Sequence, residues 1–144
     1  MVTRADITFT SINGGLTYVS GTLHQVFPSG QAGGGTDYAW IEVRNNATSG
    51  TFGSPKAWLT IDPGGAAVAI AIADGTARDE DYLYSGVDPA SLSYSAPTSS
   101  TTGLAPLPSL GPGQRFLLAV RRALAAAAVD YPDANTLHVD GTPS

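Results

Sequence analysis

The residues of this chain that can do metal chemistry are few and lie far apart. The chain has two histidines, His24 and His138, and no cysteine. A zinc site with two histidine ligands needs a further carboxylate or thiolate, and the sequence places none beside either ring. We therefore expect both histidines to be ordinary residues on strand faces. We expect the protein to hold no metal and no other cofactor.

The densest group of carboxylates comprises Asp74, Asp79, Glu80 and Asp81. A Ca²⁺ ion prefers several oxygen ligands from one flexible loop, and such a group offers them. The spacing differs from that of an EF-hand, however, and Arg78 would neutralise part of the site. The pattern favours a solvated acidic loop over a cation site at 79–81.

The sequence contains no recognisable motif for nucleophilic catalysis, phosphate binding or glycoside hydrolysis. The sequence contains no Gly-x-Ser-x-Gly motif, and no histidine follows a serine in a plausible triad order. The Gly-Pro-Gly-Gln-Arg segment at 111–115 lacks the Gly-Lys-Ser/Thr ending of a phosphate-binding loop. Nothing singles out a pair of carboxylates for glycoside hydrolysis. We expect a protein that is not an enzyme.

Several aromatic residues would suit a carbohydrate-binding platform if they lie on the surface. Aromatic residues at strand spacing more often pack in a core or against a sheet, so the platform is the alternative hypothesis. These residues are Tyr38, Trp40, Trp58, Tyr82, Tyr84 and Tyr94.

Size, charge and hydropathy limit the classes of protein further. The 144 residues are enough for one domain with its own core, and 42% of them are hydrophobic. A formal net charge of −5, with seven Lys plus Arg residues, argues against nucleic acid as a partner. No apolar run approaches the roughly 20 residues that a membrane-spanning helix needs. The first residues also lack the apolar segment of an export signal.

The elements that must position any site are short strands separated by turns. Residues 38–44 alternate, with Tyr38 and Trp40 on one face and Ala39 and Ile41 on the other. Residues 66–73 place Val and Ile on one face and only Ala on the second, which predicts that something close crowds the second face.

Seven to nine such strands span the chain, which predicts a single all-β domain of the antiparallel β-sandwich class. A small closed β-barrel is the alternative. Residues 1–12 are a possible N-terminal arm, and the Pro-rich segment 96–112 is long enough to be a loop that covers a sheet edge.

Four motifs occur in a recognisable order: Gly-Thr-Asp-Tyr at 35–38, Arg-Asn-Asn at 44–46, Leu-Gly-Pro-Gly-Gln at 110–114 and Arg-Arg at 121–122. Their order resembles that in small structural proteins of tailed bacteriophages. The resemblance covers the chain from about residue 35 onwards. It implies an Ig-like sandwich that serves as a non-enzymatic virion protein.

The resemblance favours a decoration protein on the outer surface of the capsid. A component of the tail fibre, baseplate or neck, or a carbohydrate-binding module for host adhesion, is the alternative. The implied partner is the major capsid protein or another virion protein, and we expect a homo-oligomer. The residues expected to form the interaction surface are Ile7, Phe9, Trp40, Trp58, Leu104, Leu107 and Leu110.

Overall fold

The computed structural model describes residues 2–12, 17–18, 21–22, 35–61, 67–80, 88–124 and 135–144. These residues form two antiparallel sheets. The strands are β1 (Ile7–Ser11), β2 (Thr17–Tyr18), β3 (Gly21–Thr22), β4 (Gly35–Asn45), β5 (Phe52–Thr60), β6 (Ala67–Arg78), β7 (Arg115–Leu124) and β8 (Thr136–Pro143). Two short 3-10 turns, Arg4–Asp6 and Pro89–Ser91, complete the described elements.

The large sheet has the order β2-β1-β4-β7-β6, and the small sheet has the order β3-β8-β5. Four long strands of the large sheet and two of the small one carry most of the pairing, because β2 and β3 are only two residues each. This arrangement confirms the predicted all-β antiparallel sandwich.

The core lies between the two sheets and is built from alternate residues of each strand. In β1, buried Ile7, Phe9 and Ser11 alternate with half-buried threonines. The same period of two residues directs Ile41 of β4 and Leu118 of β7 inward, where both are fully buried. Hydrophobic side chains from both sheets form one continuous cluster. Removal of these side chains from water stabilises the domain.

The order of the strands in the two sheets is close to that of an immunoglobulin domain. In the large sheet, β1, β4, β7 and β6 follow one another as strands A, B, E and D do. In the small sheet, β5 and β8 lie side by side as strands C and F do, and β3 takes the place beside β8 that strand G takes in an immunoglobulin domain. This strand order agrees with the predicted Ig-like sandwich.

The long segment between β6 and β7 runs along the edges of both sheets. Ser95 exchanges backbone hydrogen bonds with Ile70 at the edge of the large sheet. Leu104 exchanges two with Ala57, and Leu110 exchanges two with Phe52, at the edge of the small sheet. Since unpaired edges invite association with other chains, residues 95–110 close this side of the sandwich against such pairing.

The N-terminal residues are part of the domain. Strand β1 pairs in register with β4 from Ile7 opposite Asn45 to Ser11 opposite Ile41. Val2 is buried, and its N–H donates a hydrogen bond to the carbonyl of Ser144 at 3.2 Å. The prediction that residues 1–12 form an arm is therefore wrong for the described residues 2–12, because their hydrogen bonds and apolar side chains are satisfied within the chain.

Candidate functional site

Most of the residues expected on an interaction surface lie inside the domain. Five of the seven are between 0% and 6% exposed, and that part of the prediction is wrong. Four of the five point into the space between the sheets, and the fifth, Trp40, is covered on the outer face of the large sheet. The buried residues are Ile7, Phe9, Trp40, Leu107 and Leu110.

The other two expected residues are partly exposed, and they lie in different surroundings. Leu104 packs against the core at the point where its backbone pairs with Ala57. Trp58 projects from the outer face of the small sheet, since its neighbours Ala57 and Leu59 point inward and are fully buried. Trp58 is therefore the expected residue that lies most clearly on a surface.

Trp58 stacks on the residue opposite it in the neighbouring strand. The ring centroids of Trp58 and His138 are 5.3 Å apart, and the ring planes differ by 17°. The Nε2 atom of His138 lies 2.8 Å from the hydroxyl of Thr60, within hydrogen-bond distance. Since Trp58 and His138 are cross-strand partners, the pairing of β5 with β8 fixes this aromatic pair in place.

A pocket of about 230 Å³ lies beside this aromatic pair, where β1 of the large sheet meets β8 of the small sheet. Apolar side chains line its floor, and charged or aromatic side chains line its rim. The floor consists of Ile7, Phe9, Phe52 and Val139, and the rim consists of Arg4, Trp58, His138 and Asp140. We call this site the Arg4 pocket.

The charged part of the rim is an ion pair between the two ends of the described chain. The Nε–H of Arg4 donates to the Oδ1 atom of Asp140 at 2.7 Å. The same Oδ1 accepts the backbone N–H of Gly141 at 2.9 Å. The hydrogen bond from Arg4 to Asp140 and the attraction between their charges raise the pKa of Arg4 above its ordinary value. Arg4 stays cationic throughout the physiological range.

The 3-10 turn that carries Arg4 is fixed by its own residues. The backbone N–H and the hydroxyl of Thr3 both donate to the Oδ2 atom of Asp6, at 2.8 and 3.0 Å. These hydrogen bonds lower the pKa of the Asp6 carboxyl. The turn therefore brings Arg4 to the rim of the pocket.

Neither member of this ion pair is evident as a site residue from the sequence. Arg4 and Asp140 are 136 positions apart, so no local spacing connects them. The pairing arises because the first turn and the last strand meet at the same end of the sandwich. The available signal is the strand-like run at 136–139, and a local run of this kind does not show which element it pairs with.

No protein-family model matches this chain. No curated protein and no solved structure is significantly similar to it. Within the described residues, no helix is long and apolar enough to cross a membrane. The site is therefore interpreted from its own geometry.

The acidic group at 74–81 forms no metal centre in the part of the chain that the structure describes. The Asp74 carboxylate accepts hydrogen bonds from the Nε–H of Arg78 and from the backbone N–H of Thr76. Asp79 and Glu80 are exposed, and Asp81 lies outside the described residues. Among the described residues, no group of three or more metal-binding side chains comes together.

The aromatic residues on the outer face of the large sheet are part of a second, small core. Trp40 packs there with Ala71, and Leu92 and Tyr94 lie over them from the segment before Ser95. This packing confirms that the alanine face of β6 is crowded. The Tyr94 hydroxyl donates to the carbonyl of Pro89 at 2.8 Å, which fixes the cover in place.

Two further side chains, one charged and one aromatic, lie beside the Tyr94 ring. The Arg121 guanidinium lies 4.7 Å from the centre of the Tyr94 ring, and the Tyr38 ring lies 6.1 Å from it. Burial, the largest cause, raises the pKa of Tyr94 to about 12. Tyr94 is thus a neutral hydrogen-bond donor that holds the cover of the large sheet.

Proposed function

We propose that this protein is a non-enzymatic structural protein of a tailed bacteriophage virion, and that it decorates the outer surface of the capsid. In this proposal many copies bind the major capsid protein or another virion protein. The order of strand-end motifs in the sequence is the starting point. The observation that supports the proposal is that charged side chains of the described residues form ion pairs within the fold.

Three ion pairs among the described residues join parts of the fold. The Asp37 carboxylate pairs with the buried Arg122 guanidinium at 2.7 Å, across β4 and β7. A second ion pair joins Asp74 to Arg78 within β6. The ion pair of Arg4 lies at the rim of a pocket whose floor is apolar. This arrangement suits the binding of another macromolecule better than it suits acid–base catalysis.

The architecture also fits repeated attachment to a lattice. The covered edge beside β5 and β6 limits uncontrolled pairing of sheets between copies. The low content of charged residues, 13%, reduces the desolvation cost at a protein–protein contact. Many modest contacts become collectively strong when both partners are displayed in many copies.

Labelling of intact particles with antibody and gold tests the proposal by electron microscopy. We expect label distributed over the heads. Label confined to the tail or its tip would replace capsid decoration by a role in the tail fibre, baseplate or neck. Particles without label would contradict a position on the virion surface.

A second candidate function is carbohydrate binding for host adhesion, and one observation favours it. The half-exposed Trp58 is stacked on His138 and shares the outer face of the small sheet with Lys56 and Thr60. Aromatic rings beside polar groups are suited to binding a sugar ring. If this function is correct, Trp58→Ala abolishes binding to a glycan array and leaves virion assembly intact.

A further inference from the structure

We infer that the outer face of the large sheet holds a binding site for a small oxyanion, a phosphate or a carboxylate, and that Arg44 and Thr8 supply its hydrogen-bond donors. These two residues are cross-strand partners in β4 and β1. The inference does not depend on the proposed function, because it concerns side chains of this chain alone.

Three arginines form one row across neighbouring strands of this sheet. Arg44 of β4 lies opposite Arg115 of β7, and Arg115 lies opposite Arg78 of β6. Each projects from the outer face, because a residue next to it along its strand packs in or against the core between the sheets; these neighbours are Val43, Phe116 and Ala77. The chain has only seven Lys plus Arg residues and a net charge of −5, so the row concentrates positive charge in an acidic protein.

The three arginines differ in their partners. Like charges directly opposite one another in a sheet are unfavourable, and partners offset this for two of them. Arg78 pairs with Asp74, and the Nη2 group of Arg115 donates to two backbone carbonyls at 3.1 and 3.2 Å. None of the three ion pairs among the described residues includes Arg44, and its buried Nε has no described hydrogen-bond partner. Arg44 therefore lacks the compensation that the other two arginines have.

The carboxylates around the row do not supply that compensation. Glu42 precedes Arg44 by two residues on the same face of β4, but it is 7% exposed and has contacts of its own. Asp79 and Glu80 follow β6, and β7 lies between that strand and β4. On the side of Arg44 away from β7, the residue opposite it is Thr8.

Thr8 places a second donor beside Arg44. Cross-strand partners project from the same face of a sheet, so the Thr8 hydroxyl and the Arg44 side chain share the outer face. The Thr8 hydroxyl oxygen accepts a hydrogen bond from the Nδ2–H of Asn46 at 2.7 Å, which leaves the hydroxyl hydrogen available to donate. Nδ2 of Asn46 also donates to the carbonyl of Asp6 at 3.1 Å, which fixes the Asn46 amide.

Donors grouped beside a cation select a ligand that has several acceptor atoms and a negative charge. A guanidinium group presents parallel N–H groups, which match two oxygens of a phosphate or a carboxylate. Arg44 is half-buried with its Nε against the sheet, so binding restricts its side chain less than it would restrict a fully exposed one. An anion bound there would also offset the repulsion between Arg44 and Arg115.

Arg44 should lower stability when no anion is bound. It lies opposite a like charge, and its buried Nε makes no described hydrogen bond. Arg44→Met removes the charge and the buried polar atom and keeps a long side chain. In chloride buffer this variant should be at least as stable as the unmodified protein. A residue that served only to maintain the fold would give the opposite result.

The test uses the full-length protein with inorganic phosphate or acetate, and sodium chloride at the same ionic strength is the reference. NMR spectroscopy of the isotope-labelled protein follows the arginine Nε–H signals during each titration, and thermal unfolding measures stabilisation by the bound anion. Arg44→Met removes the charged donor, and Thr8→Val removes the hydroxyl and keeps a β-branched side chain. Arg4→Met is the matched control, because Arg4 is an exposed arginine outside the row.

We expect phosphate or acetate to shift the Nε–H signal of Arg44 and to raise the unfolding temperature more than chloride does. Arg44→Met should weaken the affinity at least about tenfold and Thr8→Val about threefold, because hydrogen bonds between charged groups contribute most. Arg4→Met should bind like the unmodified protein. A response to phosphate alone identifies the ligand as a phosphate, and a response to acetate alone identifies it as a carboxylate; either result supports the site.

A response no larger than that to chloride would overturn the inference. It would also be overturned if Arg44→Met kept the full response, or if this variant lost stability in chloride and still bound the anion. If Arg44→Met does not fold, Thr8→Val decides, and an unchanged affinity of that variant would overturn the inference. Each of these results leaves capsid decoration to be tested separately by the labelling of particles.

Discussion

The two tryptophans of this protein both project from the outer face of a sheet and have different surroundings. Trp40 projects from the outer face of the large sheet and is 6% exposed. Trp58 projects from the outer face of the small sheet and is half-buried, with His138 stacked on it. Each tryptophan lies between two inward-pointing residues in an alternating strand.

The difference arises from a segment distant in sequence from both strands. Residues 88–95 fold over the outer face of the large sheet and place Leu92 and Tyr94 on Trp40. The chain then leaves that face at Ser95 and runs along the edge of the small sheet, so the described residues of this segment do not cover Trp58. Strand alternation thus decides which way a side chain points, and a separate segment decides whether that face remains open.

The largest effect on the free energy of unfolding is expected when the covered tryptophan, Trp40, is replaced. Trp40→Ala should lower the free energy of unfolding by about 3–5 kcal/mol, because it leaves a cavity beneath Tyr94. Trp58→Ala should lower it by about 1 kcal/mol, because that ring is already partly in water. Urea denaturation measures both changes. Similar losses for the two variants would contradict the comparison.

The next effect concerns the segment along the edge of the small sheet. Leu110→Ala should lower the free energy of unfolding by about 2–5 kcal/mol, since Leu110 is fully buried where the segment pairs with Phe52. Ser100→Ala, an exposed position in the same segment, should change it by less than about 0.5 kcal/mol. A small effect at Leu110 in the same urea experiment would mean that the segment is not anchored there.

A smaller effect is expected at the hydroxyl that holds the cover of the large sheet. Tyr94→Phe removes the hydrogen bond to the Pro89 carbonyl and should lower the free energy of unfolding by about 0.5–1.5 kcal/mol at neutral pH. The folded pKa of Tyr94, about 12, is higher than the ordinary value of 10.

The folded state therefore favours the protonated hydroxyl. Its contribution to stability is complete below pH 10 and decreases as the pH rises from 10 to 12. The stability advantage of the unmodified protein over Tyr94→Phe should decrease over that range. An advantage that stays constant up to pH 12 would show that this hydroxyl does not titrate as proposed.

The smallest effect on folding is expected at the open face. Arg4→Ala should leave the urea midpoint nearly unchanged, because the Arg4–Asp140 ion pair is exposed to water. Urea denaturation of Arg4→Ala checks this, and a large loss of stability would identify Arg4 as a residue that maintains the fold.

Much of the fold could be predicted from the sequence, because strand alternation is a local property. The strand at 38–44 and the crowded alanine face of β6 both follow from a period of two residues. Leu92 and Tyr94 alternate with serines over residues 91–95 as in a strand, but this segment holds the end of a 3-10 turn and one bridge at Ser95. Two further runs with the residue types of strands, at 16–19 and 22–27, lie mostly outside the described residues.

The site was much less predictable, for a physical reason. Apolar residues such as Phe9 and Leu110 were expected to be interaction residues, and they are buried because both strand pairing and core packing use them. The rim of the Arg4 pocket depends on contacts between the first and last elements of the chain. Such contacts depend on how the strands are arranged in the two sheets. The local alternation of residues does not encode that arrangement.

Cryo-electron microscopy of the intact phage head tests the central claim most directly. We predict density for this sandwich on the outer surface of the capsid. Heads without such density would contradict capsid decoration.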